Sequence, residues 1–344
     1  MKNHPIPLRP TIEPEPENQA LPFLRLALAM TLAGDGGTEY AIEIARGRWG
    51  AESRTARTLA DMHTRGFVGL VGQEGDWGHA FKQSAASFWS AVRARSLIGQ
   101  IGGFRKTVPF APAVQMTTGA AASWVPQTGY IPPSSLTFSR EGLEPRKVAA
   151  IIVMSADLIR QLGVAGEGKI ADDMTAAAVE AIDAAFSDPA NGGVADTKPA
   201  SVFHGATSIA ATDDPAADLR ALISTLDGNL ATASLVLNPL RAARLAGPIF
   251  PQIGARGGSL LGIPAVVSPM VPPDVISLVD AEAVMIGEGE PELFPSNVAD
   301  VSVTSTGELI SLWQHNLKGI RAVMRTNWKL IHAGGAAYIT GAAY

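Results

Sequence analysis

The sequence predicts a mixed α/β protein of the α+β type, and three observations carry that prediction. The stretch "KIADDMTAAAVEAIDAAFSDP" sets Ile170, Met174, Ala178, Ile182 and Phe186 on one stripe at i+4 spacing, as an amphipathic helix requires. The second half alternates capped helical segments with short β-branched runs such as "ASLVLNP", "SLLGIPAVVS" and "VISLVDAEAVMIGE". Third, a dense apolar run, Val148 to Met154, follows a long polar stretch that begins at Trp124 and holds Pro126, Pro132, Pro133 and Pro145. The run reads as a core strand, whereas the stretch before it has almost nothing to pack, with Leu136 and Phe138 alternating only weakly.

Residues 1–19 hold five prolines and several charges and read as an extended or disordered arm, without the charged and apolar regions of a signal peptide. Leu21 to Ala33 is apolar but carries Arg25 and is too short to span a bilayer, so a soluble, non-exported chain is expected. Three short helices follow from residue 20 to Gly66. The middle one places Glu39 and Glu43 early and Arg46 and Arg48 late, in keeping with the helix dipole. They share little apolar surface and read as a small appended unit, closed by a glycine-rich hinge at 66–80. "QSAASFWSAVRARSLIGQIGG" is a further helix. "FRKTVPFAPAVQMTTGA" alternates at Val108, Phe110, Val114 and Met116, but Pro109 and Pro112 confine it to an edge strand or an arm.

In the helix over 170–187, Asp172, Ala176, Glu180, Asp183 and Ser187 form the face opposite the stripe. Asp172 and Asp173 occupy its first turn, and Asp188-Pro189 stop it. A second helix starts at Asp214 (N-cap) and Pro215, buries Leu219, Leu222, Ile223 and Leu226, and ends at Gly228. A buried strand, Ser234 to Leu237, leads to Asn238 as the next N-cap. Asp280 falls at a turn between two strands. The closing stretch sets Ile320, Ala322 and Met324 against Arg321, Val323 and Arg325, which reads as long strands with one polar face.

Composition bounds the chemistry. With 47% hydrophobic residues among 344, the chain is long enough for two or three domains and buries roughly three quarters of its unfolded surface. The absence of cysteine excludes disulfides and thiolate metal sites, and a net charge of −5 disfavours tight sequence-independent nucleic-acid binding. His204 lies near Ser208, Asp213 and Asp214, but no G-x-S-x-G elbow exists and a loop histidine is the simpler reading. The six histidines show no metal-ligand spacing. The glycine-rich segments at 33–39, 254–259 and 286–292 match no phosphate loop and read as turns. No enzyme signature, cofactor or metal is therefore expected. Arg93, Arg95, Arg105, Lys106, Arg140, Arg146 and Lys147 gather around the two arm-like segments, either as a solvated surface or as partners for acidic patches on a neighbour.

Taken in order, these elements resemble the tailed-phage major capsid proteins of the Hong Kong phage type over residues 83–340. The family reads W-V-x-E-x-x-x-x-P-x-S-x-x-T-F where this chain has Trp124, Val125, Pro133, Ser135 (or Ser134), Thr137 and Phe138. It also has an L-x-G-x-P-V-V segment where this chain has "LLGIPAVV". The resemblance implies a helical N-terminal extension at 1–80, scaffold-like and either cut within 66–80 or retained. It implies a helix and arm at 81–120, an extended loop at 121–147, and a peripheral domain at 148–213 and 306–344 with a spine helix at 170–187. The axial domain is then 214–305.

The resemblance further implies inter-subunit contacts. Those of the loop are Trp124, Tyr130, Ile131, Pro132, Pro133, Phe138, Arg140, Arg146 and Lys147; those of the arm are Arg105, Lys106 and Phe110. Ile170, Met174, Ile182 and Phe186 pack the spine. A limb of roughly a dozen residues reaches about 40 Å, and a lone hairpin is marginal in water, so the loop takes its stability from a neighbouring subunit.

The implied function is structural: self-assembly into pentamers and hexamers of an icosahedral head around double-stranded DNA, in the host cytoplasm, with no sequence-specific DNA contact and no membrane. Portal, maturation protease and decoration proteins are the further partners the family suggests. The loop tip "GYIPPSS" lacks the lysine some relatives use for crosslinking, and Lys147 lies at the loop's base, so self-crosslinking is not expected. Pro126-Gln127 replaces the family's glutamate region. The rival readings are an encapsulin-like compartment, which would load protein cargo, and an α/β enzyme with a compact oligomer and a catalytic pocket.

Overall fold

The computed structural model describes residues 20–33, 37–64, 77–107, 113–118, 137–161, 163–289, 292–296, 300–302 and 309–344. The chain opens with helices α1 (Leu21–Ala33), α2 (Gly37–Trp49), α3 (Arg54–Thr64), α4 (Trp77–Arg95) and the single turn α5 (Leu97–Gln100). Strands β1 (Arg105–Thr107), β2 (Ala113–Thr118), β3 (Thr137–Glu141) and β4 (Arg146–Ser155) follow, then α6 (Ala156–Gln161) and the long α7 (Val164–Ser187). The next section holds β5 (Thr207–Ala210), α8 (Pro215–Thr225), β6 (Ala233–Leu237), α9 (Pro239–Leu245), β7 (Ile253–Gly254), β8 (Gly257–Leu260), β9 (Ile263–Val267) and β10 (Ile276–Asp280). The last holds β11 (Val284–Glu288), β12 (Glu292–Ser296), β13 (Asp300–Ser302), β14 (Leu309–Ser311), β15 (Leu317–Leu330) and β16 (Ala336–Thr340).

Two sheets organise the body. The first is built around β15, which at about 3.3 Å per residue runs roughly 45 Å and pairs with β4 along one edge, with β12 and then β11 along the other, β1 completing the path beside β11. The second has seven strands in the order β5-β16-β10-β6-β9-β8-β7. The chain crosses between them twice at one place, through a 3-10 turn at Ala281–Ala283 going out and another at Ala333–Gly335 coming back. A Cβ on Gly335 would lie 2.3 Å from that of Ala283, so only glycine lets the two crossings touch.

Helix α7 is the beam over the first sheet. Met174, Ala178, Ile182 and Phe186 enter the main core with Phe88, Val92, Ile286, Ile320 and Ala322, and Ile170 packs at its margin. Phe186 meets Phe104, Phe203 and Trp328 edge to face, at 6.0, 6.3 and 5.5 Å between ring centres. Its C-terminal carbonyls are satisfied from beyond the helix: Asn191 Nδ2 donates to Ala185 O and Ser201 Oγ to Phe186 O. The second sheet encloses its own core of Leu219, Leu222, Leu235, Leu237, Leu278 and Ile339. Asp214 and Asn238 cap α8 and α9 as their sequence pattern requires.

Several expectations are corrected. The spine helix begins at Val164, so Asp172 and Asp173 lie more than two turns inside it, and Asp172 pairs with Arg95 at 2.9 Å. Gly166 and Gly168 disguised the start. Asp183 and Ser187, placed on its polar face, are buried because α5 and the end of β9 cover that side. The run Val148–Met154 is an alternating strand at the sheet's edge, with Ile151 exposed, because among the described residues β4 pairs only with β15 and packs on one face. Conversely, β15 is buried on both faces at Thr326–Trp328: Leu143 packs over Gly287 and Asn327 donates to Glu144 O, covering the side expected to be polar there. Strand exchange also moves the division between the two parts. β5 and β16 belong to the seven-stranded sheet, whereas β11 and β12 belong to the first. Of the two readings offered for Val114 and Met116, the edge strand holds: they belong to β2, which pairs with β3 and so joins the loop in a ribbon.

Candidate inter-subunit surfaces

Apolar side chains left exposed on rigid elements are where a second subunit could gain most. At the far end of the β4–β15 ribbon, Leu158 of α6, Leu309 of β14 and Trp313 of the following turn are exposed, Trp313 by 73%. The Ala156 N–H donates to Asn316 O, which ties α6 to that turn, and Leu317 faces Ser155 across the ladder. On the seven-stranded part, Leu240 and Ile249 are 70% and 69% exposed, on α9 and in the loop behind it. Arg241 fixes this corner: buried, it donates to Pro273 O at 2.9 and 2.7 Å and to Tyr344 O. These exposed residues escaped the sequence reading because Leu240 sits at the second position of a short capped helix and Trp313 in a polar turn, outside any periodic stripe.

The ribbon β2–β3 is a two-stranded sheet of its own, hydrogen-bonded to neither larger sheet among the described residues. Met116 faces Phe138 and Val114 faces Arg140 across it, with an irregularity between Met116 and Thr118. Of the predicted loop and arm contacts, Trp124, Tyr130, Ile131, Pro132, Pro133 and Phe110 lie outside the described residues. Arg105 and Lys106 are exposed on β1, the edge strand parallel to β11. Arg146 is engaged within its own subunit, with Glu144 at 2.8 Å and Asp196 at 3.1 Å, and so differs from Lys147, which is exposed opposite Arg325. Arg93 pairs with Glu288, and Arg325 with Glu292. Among the described side chains, the basic cluster therefore separates into internally paired arginines and the exposed Arg105, Lys106 and Lys147.

Two buried carboxylates were not foreseen as structural centres. Glu167, in the first turn of α7 and 1% exposed, accepts from Arg25 Nε (3.1 Å), Arg48 Nε (3.0 Å) and Trp49 Nε1 (2.9 and 3.1 Å). Both guanidinium groups also lie over the Trp49 ring, at 5.8 and 5.6 Å. Asp183 joins three elements: it accepts from the Leu97 N–H at 2.9 Å, capping α5, and from Ser268 Oγ at the end of β9, at 2.7 Å. Burial pushes its carboxyl up to about 6, against the lowering effect of those two hydrogen bonds.

A cleft of about 210 Å³ lies between α4 and the first sheet, bordered by Trp89, Arg93, Ile182, Glu288 and Met324. His204 is exposed, its Nδ1 3.1 Å from Pro189 O. Among the described residues no group of three or more His, Asp or Glu is placed to hold a metal ion, and no helix is long and apolar enough to cross a membrane.

Comparison with known proteins agrees with this architecture. The sequence profile of the phage capsid family matches residues 81–341. The chain belongs to the phage capsid family. The capsid polyprotein of Pseudomonas phage PAJU2 is 33% identical over 288 residues, covering 74% of this chain and 43% of that relative, so this chain spans less than half of the polyprotein. Solved structures from Mycobacterium phage Adephagia (TM-score 0.54, 16% identity, 71% of this chain and 89% of that one) and Gordonia phage Cozz (0.53, 16%, 70% and 85%) share the fold. A structure from Microbacterium phage Oxtober96 (0.51, 16%) covers 84% of this chain and 98% of its own. That share exceeds the part of this capsid-family chain lying from residue 81 onward, so the structural correspondence starts upstream of the family match.

Proposed function

We propose that this chain is the shell-forming subunit of a tailed-phage head, assembling with copies of itself into pentamers and hexamers that enclose double-stranded DNA. Membership of the phage capsid family supports the structural role. The observation that carries the assembly reading is the β2–β3 ribbon, a two-stranded sheet outside both larger sheets. Two strands alone are marginal in water, so the ribbon gains its stability on another subunit. Leu158, Leu309 and Trp313 at one end and Leu240 and Ile249 on the other part provide further apolar contact, and heterologous contacts of this kind close into rings. In this reading the extended loop at 121–147 and β1 with Arg105 and Lys106 lie against neighbours, with Lys147 at the loop's base. The virion capsid is the place of action, and DNA is held without sequence-specific contact, as a net charge of −5 favours.

Negative-stain electron microscopy of the purified full chain tests this: closed shells tens of nanometres across are expected. Small compact oligomers at every salt and protein concentration would contradict it.

A further inference from the structure

We propose that α1–α3 is a permanent part of the subunit, seated on the spine helix through the Glu167 carboxylate, and that it stays seated when the chain is cut between Thr64 and Trp77. The sequence boundary at residue 81 makes this segment look detachable, and the packing argues otherwise. Phe23, Leu24, Ala27 and Leu28 of α1 belong to the main core itself, and Phe23 stacks on Phe88 of α4 with ring centres 4.7 Å apart. The opposite face of α1 contributes Leu26, Ala29 and Ala33 to a second small core with α2 and α3, so one helix serves two cores. The three helices therefore form a folded wedge whose missing side is supplied by α4 and α7.

Glu167 sets the register of that seat. Among the described residues every side chain that donates to it comes from the wedge: Arg25 from α1, Arg48 and Trp49 from α2. Burying a carboxylate is costly unless it is paired and fully hydrogen-bonded. The apolar contacts drive the docking, and the shared carboxylate permits only one position along α7. Breaking the covalent connection changes an intramolecular contact into a bimolecular one but removes none of these interactions.

The inference does not depend on shell formation, because it is read on the subunit. A site-specific protease sequence is inserted between Thr64 and Trp77 of the full chain and cut under native conditions. Size-exclusion chromatography is then followed by denaturing mass spectrometry of each fraction. Co-elution of the two fragments at the size of the uncut chain is expected. In the cut Glu167→Gln variant, which keeps the side chain's shape, retention should weaken by at least about tenfold; the Arg25→Ala/Arg48→Ala pair should release the small fragment. Separation of the wild-type fragments, with the larger one still folded by circular dichroism, would overturn the proposal. Equal retention in wild type and Glu167→Gln would overturn the part assigned to Glu167.

Discussion

The α1–α3 wedge and the β2–β3 ribbon both stand outside the two sheets, yet their surroundings are opposite. The wedge gives Phe23, Leu24, Ala27 and Leu28 to the main core and holds a buried carboxylate of the spine helix. The ribbon pairs only with itself among the described residues. The difference teaches how one chain divides its apolar surface between folding and assembly. In the proposed assembly, a segment with sockets on its own subunit completes the fold, whereas the ribbon is held by a neighbour.

The strongest way to break this comparison is deletion of Tyr130–Ser135 in the loop. A soluble subunit with an unchanged melting transition, but no stable shells by electron microscopy, is expected; normal shells would remove the assembly role assigned to the ribbon. On the other side of the comparison, Phe23→Ala should cost about 3–5 kcal/mol in denaturant unfolding, because it empties a fully buried stacked site. Arg48→Ala, which removes one partner of buried Glu167, should cost about 3 kcal/mol. Losses under about 0.5 kcal/mol for either would mean that the wedge only rests on the surface.

Asp183 sharpens the picture of the joint between the two parts. Its folded value of about 6 lies above the ordinary 3.8, so the folded state binds the proton more tightly than the unfolded state. The resulting stabilisation is fully present below pH 4 and is lost as pH rises through 6. Asp183→Asn should abolish this slope, with the stability of wild type relative to the variant falling by about 2.5 kcal/mol from pH 4 to pH 7. Parallel stability curves for the two proteins would refute it. The smallest effect is expected at Tyr344, whose hydroxyl donates to buried Asp218 at 2.9 Å. Burial pushes the Asp218 carboxyl up, but the Thr212 N–H and hydroxyl, with Tyr344, hold it below its ordinary value. Tyr344→Phe should cost about 1.5 kcal/mol near pH 7, measured by denaturant unfolding.

Wherever a local rule decides structure, the sequence was legible. Asp214-Pro215 and Asn238-Pro239 announced α8 and α9, and the i+4 stripe from Ile170 to Phe186 announced the spine helix. Tertiary decisions were hidden. Gly166 and Gly168 flank Glu167 and hid the start of the helix, because nothing local reveals that Arg25, Arg48 and Trp49 will converge there from about 120 residues or more away. The apolar run of β4 looked like core because its exposed face is apolar too, at Ile151. Asp183 looked like a solvated face because α5 and Ser268 arrive from distant segments. The exposed Trp313 and Leu240 carried no periodic signal at all.

The most direct test of the division between fold and assembly is backbone hydrogen exchange, read by mass spectrometry on free subunits and on assembled shells. The account predicts slow exchange in α1 in both states. It predicts fast exchange in β2 and β3 of the free subunit, slowing at least about 100-fold on assembly. A ribbon as protected as α1 in the free subunit, or an α1 that becomes protected only in shells, would contradict it.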